Sequence, residues 1–139
     1  MNTALFGRTN GVFQYPGDAV TDFSTKTGLL AANSGTANLL VVNTSTTVPA
    51  VAVILDGNGP VHSLPTAMGV LGAIPPVRLW ASGAINAYQR VQQDGAGGVV
   101  ADAGASNSRV VVGIALEAAP AGGAYILVQT LAPVEYTSD

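Results

Sequence analysis

Residues 94–128 read DGAGGVVADAGASNSRVVVGIALEAAPAGGAYILV, and this stretch decides the fold. It contains short apolar runs separated by loops of small residues, a pattern that is typical of β-strands joined by tight turns. Its charged residues are Asp94, Asp102, Arg109 and Glu117, and it has no histidine, cysteine or lysine. The stretch therefore predicts a β framework that lacks most of the side chains on which catalysis depends.

The rest of the chain continues this pattern. No segment keeps a helical period, glycine and proline recur, and β-branched residues cluster in short runs. We predict eight strands, at Gly11–Tyr15, Asn38–Asn43, Ala50–Asp56, Val77–Trp80, Tyr88–Gln93, Gly98–Asp102, Arg109–Leu116 and Ala124–Leu131. The glycine-rich residues 94–98 are expected to join two of these strands as a hairpin. Short strands at this spacing predict an all-β fold, a small single-domain β-sandwich or barrel.

The last two strands make the most specific packing prediction. Val110, Val112, Ile114 and Leu116 recur at every second position, so we expect them to share one face of their strand. Ile126 and Val128 are expected to face them from the next strand.

Several segments fall outside the regular pattern. Residues 1–12 are predicted to be an extended N-terminal arm and residues 133–139 a short acidic C-terminal tail, which leaves residues 13–132 as the β domain. Ser24–Thr36 has weak patterning and is predicted to be a loop or an irregular extension. Pro60–Pro76 is rich in proline and is expected to be either an extended arm or, at Thr66–Val70, a short helix.

The composition favours a component of an assembly. Charged residues make up 9% of the chain, against about 25% in an ordinary soluble domain. A chain that spends much of its life packed against other protein needs fewer charges, although a compact secreted β domain would have the same composition. The five basic residues are scattered and the net charge is −3, so we expect no nucleic-acid partner. The apolar run at Leu39–Leu55 is too short and too polar to span a bilayer, so no membrane partner is expected and the protein should be soluble.

Residues that could carry chemistry are few. His62 is the single histidine and lies among prolines in a predicted loop, with no nucleophile motif around the adjacent Ser63. Lys26 is the single lysine and belongs to no phosphate-binding motif. The absence of cysteine excludes disulfides and thiolate zinc sites. We therefore predict no catalytic residue, no cofactor and no metal site; a hydrolase built from two distant carboxylates remains the remote alternative.

Five residues are candidates for contact with a protein partner. Leu5 and Phe6 are apolar residues in the otherwise polar arm, where Arg8 can donate a charge-assisted hydrogen bond. Phe13 lies just beyond the arm. Trp80 ends a strand-like run, where it either packs in the core or at its edge or anchors an interface, since tryptophan is enriched at binding hot spots.

The second half of the chain resembles a known family. Residues 85–91 (INAYQRV) precede the glycine-rich hairpin, and residues 112–119 (VGIALEAA) and 121–128 (AGGAYILV) follow it. This order resembles the small decoration, or cement, proteins of tailed-bacteriophage heads, in which a strand and a glycine turn precede a V-G-I-A-L-E-A-A strand, an A-G-G turn and a final V-x-V strand. Residues 15–20 (YPGDAV) look like the early P-G-D-x-V turn of that family. The resemblance covers mainly Ile85–Leu131, and residues 24–76 are unmatched, as a lineage-specific insertion would be.

The resemblance implies a structural role in the virion. Similar proteins bind the outer surface of the expanded major capsid lattice, usually as trimers at threefold sites and sometimes as dimers at twofold sites. They hold neighbouring capsomers together against the pressure of the packaged DNA. The implied partners are the major capsid protein and further copies of the chain, and the implied location is the outer capsid surface after synthesis in the host cytoplasm. A β-rich phage tail or fibre component is the alternative, although a fibre would show repeats or a coiled-coil stalk.

Overall fold

The computed structural model describes residues 11–15, 22–35, 39–57, 66–104 and 107–137. These residues form ten strands and no helix, which confirms the all-β prediction. The strands are β1 (Val12–Tyr15), β2 (Leu30–Asn33), β3 (Leu40–Val42), β4 (Ala52–Asp56), β5 (Thr66–Val70), β6 (Val77–Ala81), β7 (Arg90–Gln93), β8 (Val99–Ala101), β9 (Arg109–Ala115) and β10 (Ala124–Tyr136).

The strands form two sheets, one from each half of the chain. The first half builds an open antiparallel sheet in the order β1-β5-β4-β2-β3. The second half closes into a five-stranded barrel in the order β10-β6-β8-β7-β9. β6 and β8 run parallel and meet through Ala81 and Val99, and the other neighbours in the barrel are antiparallel. The expected hairpin between β7 and β8 is confirmed.

Two apolar clusters hold these sheets together. The larger cluster fills the barrel and also takes in Leu30 and Val53 from the open sheet. The smaller cluster contains Phe23, Ile54 and Met68, with Ala31 and Ala52 from β2 and β4. Neighbouring residues of β2 and β4 therefore belong to different clusters, so the centre of the open sheet is buried on both faces.

This burial explains why the sequence pattern missed two strands. Leu30–Asn33 lies within the segment that was expected to be irregular, yet it is β2, and its LAAN sequence does not alternate because both faces are covered. Thr66–Val70 is β5 and neither a helix nor an extended arm. Gly69 of β5 lies so close to Ile74 that an added Cβ would be 2.7 Å from its side chain. The unmatched residues 24–76 thus supply four strands of the open sheet.

The predicted face of β9 is correct only in its first half. Val110 and Val112 are in the barrel core together with Ile126 and Val128, as expected. Ile114 and Leu116 are half-exposed instead, and Ala115 takes the inward position. Register shifts in both ladders of β9 change the inward positions beyond Val112, as β-bulges do.

The prediction of a C-terminal tail is also wrong for most of its length, because β10 continues to Tyr136. Its second half pairs with β9 beyond a register shift, with Val134 opposite Val111 and Tyr136 opposite Arg109. At the other end of the chain, residues 1–10 of the predicted arm (residues 1–12) lie outside the described residues, and its last residue, Val12, begins β1.

A buried glutamine ties the barrel to the open sheet. Gln93 of β7 is 1% exposed, and its Nε2 donates to the carbonyl oxygens of Ser45 and Val48 at 2.8 and 2.6 Å. Its Oε1 accepts from the Ala50 amide at 3.0 Å. All three backbone groups lie between β3 and β4, so one side chain satisfies a loop that would otherwise hold buried polar groups without partners.

Candidate interaction surface

The outer side of the barrel carries several apolar and aromatic side chains. Inward residues such as Leu79, Ile126 and Val128 fill the core, so alternation places their neighbours in the strands on the outside. We call this group the barrel face: Trp80, Tyr88, Ile114, Leu116, Tyr125 and Leu127. All six are exposed or half-exposed.

Strand pairing connects part of this group, whereas Ile114 lies opposite the polar residues Gln129 and Arg90. Tyr125 lies opposite Trp80 between β10 and β6. The Leu116 amide donates to the Leu127 carbonyl at 2.8 Å, and the Tyr88 amide donates to the Ala115 carbonyl at 2.6 Å. The barrel face therefore crosses β6, β10 and β9 and ends at the loop before β7.

Trp80 and Tyr125 form a fixed aromatic pair at one end of the barrel face. Their ring centroids are 5.1 Å apart at an interplanar angle of 65°, an edge-to-face geometry that aromatic pairs favour. Gly28 lies against the Tyr125 ring, and an added Cβ would be 2.6 Å from Cε1. Tyr125 remains 48% exposed, so the pair presents an aromatic surface whose orientation is set before any partner arrives.

Tyr88 marks the other end of the barrel face. It is 78% exposed, and its φ of +66° places a non-glycine residue in the left-handed region. That conformation costs roughly 1–2 kcal/mol for an ordinary L-residue. Backbone strain of this kind clusters at binding sites. Here it accompanies a large aromatic side chain that lies in solvent, so burial of the ring does not offset the strain.

An ion pair crosses the barrel face between these aromatic ends. Arg78 donates from both terminal nitrogens to Glu117, at 2.8 and 3.2 Å, and Glu117 Oε2 also accepts from the Leu127 amide at 3.1 Å. The hydrogen bonds from Arg78 and from Leu127 lower the pKa of Glu117, and the pKa of Arg78 is raised by the same pair. Both charges are compensated within the chain, which lowers the desolvation cost that a partner covering them must overcome.

A second group of charged side chains lies on the barrel beside the end of β10. Asp102 forms an ion pair with the buried Arg109, and its Oδ2 lies 3.6 Å from the Nε of Arg90. Arg90 donates to the Tyr136 hydroxyl at 2.7 Å, and both guanidinium groups lie over the Tyr136 ring, at 5.3 and 4.3 Å from its centroid. Burial opposes the ionisation of Asp102, but hydrogen bonds from Gly104 and Arg109 and the charges of both arginines outweigh it, so the pKa of Asp102 is lowered.

The structure separates the residues that were predicted to contact a partner. Leu5, Phe6 and Arg8 lie outside the described residues. Phe13 is on β1 and packs, half-buried, against the smaller cluster. Trp80 is on the outside of the barrel, so Phe13 and Trp80 belong to different sheets.

Sequence reasoning missed most of the barrel face. Tyr88 was expected to begin a strand, but β7 begins at Arg90. A tyrosine in the sequence does not indicate that its backbone is left-handed. Ile114 and Leu116 were expected on the same face as Val110 and Val112, because the only sign in the sequence of the register shift in β9 is Gly113. Tyr125 could have been found, since it precedes the inward Ile126 in an alternating strand.

Chemistry other than binding has little support in the described part of the chain. No three histidine, cysteine, aspartate or glutamate side chains there are placed to hold a metal ion. A cavity of about 220 Å³ beside β3 is lined by Asn33, Asn43 and small or β-branched residues, and none of the described residues in its wall has an ionisable side chain. His62 and Ser63 lie outside the described residues.

Over the described ranges, no helix has the length and apolar character needed to cross a membrane. In comparisons with protein-family models, curated proteins and solved structures, no significant match to this chain was found.

Proposed function

We propose that the protein is a structural component of a tailed-phage virion that binds the outer surface of the expanded major capsid lattice and cements neighbouring capsomers. The observation that carries the proposal is the barrel face, where aromatic and aliphatic side chains are held in solvent on a rigid scaffold. Exposed apolar groups of this kind mark protein-binding surfaces, and tyrosine and tryptophan are the residues most enriched at binding hot spots.

The resemblance to decoration proteins supports the same proposal from the sequence. The matched segment, residues 85–131, contains β7 to β9 and the first half of β10. It supplies every residue of the barrel face except Trp80. The stretch that resembles the family is therefore also the stretch that presents the candidate surface.

The scaffold suits a mechanical role. The barrel has no open sheet edge around most of its circumference because its strands close on each other. Among the described residues, every buried side-chain nitrogen or oxygen has a hydrogen-bond partner. A partner that docks on such a scaffold loses little energy in ordering it, which favours tight binding from a small surface.

On the lattice we propose a homotrimer, with a dimer at twofold sites as the alternative. The low charge content, 9% of residues, supports more than one protein contact per subunit. Sedimentation of the isolated protein together with a density map of decorated particles tests this point. A single copy bound alone on the capsid would contradict it.

Co-sedimentation tests the function directly. Purified protein is mixed with expanded empty capsids of the phage that encodes it, and with unexpanded capsids as the control. We expect saturable binding to expanded capsids only. Equal binding to both forms, or to neither, would contradict a cement role; association with purified tails instead would favour the tail-component alternative.

A further inference from the structure

The barrel is completed by a short segment from the other half of the chain. β6 and β8 meet through a single pair of residues, and backbone groups ahead of that pair bond to the segment instead. The Trp80 amide donates to the Gly28 carbonyl at 3.1 Å, and the Leu30 amide donates to the Gly97 carbonyl at 2.7 Å. We call residues 28–30 the seam segment, because they hydrogen-bond to both sides of this seam in the barrel.

The seam segment is also bonded to the centre of the open sheet. The Gly28 amide donates to the Ile54 carbonyl at 2.8 Å, and the Ile54 amide donates to the Leu29 carbonyl at 2.9 Å. Leu30 then begins β2 and is fully buried in the larger apolar cluster. The position of the seam segment is therefore set by β4 of the open sheet on one side and by the barrel on the other.

Gly28 is the residue of the seam segment that contacts the barrel face. Because the Trp80 amide bonds to Gly28, Trp80 and Tyr125 form a non-hydrogen-bonded pair between β6 and β10, the kind in which the side chains lie closer. The Tyr125 ring reaches across β6 to Gly28. A Cβ added to Gly28 would lie 2.6 Å from Tyr125 Cε1 and 3.3 Å from the Arg78 carbonyl oxygen, so a side chain there would occupy the space of the ring.

We infer that Gly28 is a positioning residue of the barrel face, through which the first half of the chain holds the Tyr125 ring against Trp80. The inference rests on the binding role proposed for that face. A partner that meets a fixed aromatic pair does not have to order it on binding, which favours affinity. Gly28 also has a φ of +86°, which glycine adopts at no steric cost. The backbone and the ring therefore both require glycine at this position.

The single tryptophan of the chain reports on this contact without any partner. Gly28→Ala adds a methyl group where the Tyr125 ring lies. Gly35→Ala is the matched control, because Gly35 has a φ of +88° and no atom of the described residues lies within 4 Å of its added Cβ. Both variants thus carry a similar backbone strain. We expect acrylamide quenching of Trp80 fluorescence to rise at least twofold in Gly28→Ala, since displacing the ring uncovers the indole, and to be unchanged in Gly35→Ala.

A second set of variants separates positioning from a general loss of stability. Tyr125→Ala removes the ring, so adding Gly28→Ala to it should lower the unfolding midpoint no more than adding Gly35→Ala does. With the ring present, Gly28→Ala should be clearly the less stable of the two glycine variants. Equal quenching in the two glycine variants, or the same difference in midpoint with and without the ring, would overturn the inference.

Binding to expanded capsids keeps this inference apart from the proposed function. We expect Gly28→Ala to bind at least tenfold more weakly, whereas Gly35→Ala binds like wild type. Wild-type affinity of Gly28→Ala despite altered quenching would overturn its positioning role in binding. If the wild-type protein itself does not bind capsids, the proposed function is wrong, and the fluorescence comparison still decides whether Gly28 holds Tyr125 in place.

Discussion

At the scale of single residues, one side chain costs the fold stability and two others stabilise it. Tyr88 occupies a left-handed backbone and exposes its ring. Gln93 uses its whole amide group to satisfy the loop between β3 and β4. Asp102 compensates the buried Arg109. The last two stabilise the domain, whereas the Tyr88 ring is 78% exposed, which fits the binding role proposed for it.

Replacing Tyr88 should therefore separate stability from binding. Asparagine tolerates the left-handed conformation better than tyrosine, and a 78% exposed side chain loses little burial. We expect Tyr88→Asn to keep or raise the free energy of unfolding, by up to about 1 kcal/mol, and to weaken partner binding at least tenfold. Denaturant unfolding measures the first effect, and a clear loss of stability would show that Tyr88 has a structural role instead.

Replacing Gln93, in contrast, should lower the free energy of unfolding. Gln93→Ala leaves two carbonyl groups with fewer donors and the Ala50 amide without its acceptor, so we expect a loss of about 3 kcal/mol in the free energy of unfolding. Gln92→Ala is the matched control, because Gln92 is half-buried and accepts a single hydrogen bond, from the Ala103 amide. Similar losses in both variants would mean that the bridge to the open sheet contributes little.

The pH dependence of stability should reveal Asp102. Because its pKa is lowered in the folded protein, its contribution is complete above the unfolded value of about 3.9 and is lost as the pH falls through that value towards the folded one. We expect Asp102→Asn to lower stability by about 3 kcal/mol at pH 7, since Arg109 is left without its buried partner. The difference from wild type should shrink steadily below about pH 4, and a difference that is constant down to pH 2 would contradict this account.

At the scale of elements, short runs rich in valine and isoleucine predicted the strands well, even for β4 and β9, which are largely buried. The eight predicted strands correspond to β1, β3, β4 and β6 to β10. β2 was missed because small residues cover both of its faces, and β5 because Gly69 and nearby prolines hide its pattern. The barrel face was missed for a related reason: register shifts in β9 depend on how strands pair, which a single strand's sequence does not contain.

Gly113 is the residue that permits the shifted register of β9. A Cβ there would lie 2.7 Å from the Gln129 carbonyl oxygen and from Val128 Cγ1, and the carbonyl belongs to backbone that moves only at a cost. We expect Gly113→Ala to lower the free energy of unfolding by about 1–3 kcal/mol. Gly83→Ala is the control, because its added Cβ would meet only Val100, at 3.4 Å. Equal unfolding midpoints for the two variants would rule out this role for Gly113.

At the scale of the whole molecule, the two halves of the chain have different roles. The centre of the open sheet is buried on both faces, so its central strands contribute mainly to stability, whereas the barrel presents the aromatic and apolar barrel face. The chain's low charge content predicted a protein-binding role in general terms. It did not identify the surface, because outward aromatic residues look the same in sequence as inward ones.

The most direct test of the central claim is a binding titration on expanded capsids with a variant altered on the barrel face. Tyr88→Asn combined with Leu127→Ser removes an aromatic and an aliphatic group from the surface. The control is Val48→Ser, at a 51% exposed valine in the loop between β3 and β4 that does not belong to the barrel face. We predict that the double variant remains folded by circular dichroism and binds at least a hundredfold more weakly, about 2.7 kcal/mol, whereas the control binds like wild type. Wild-type affinity in the folded double variant would contradict the claim that the barrel face is the binding surface.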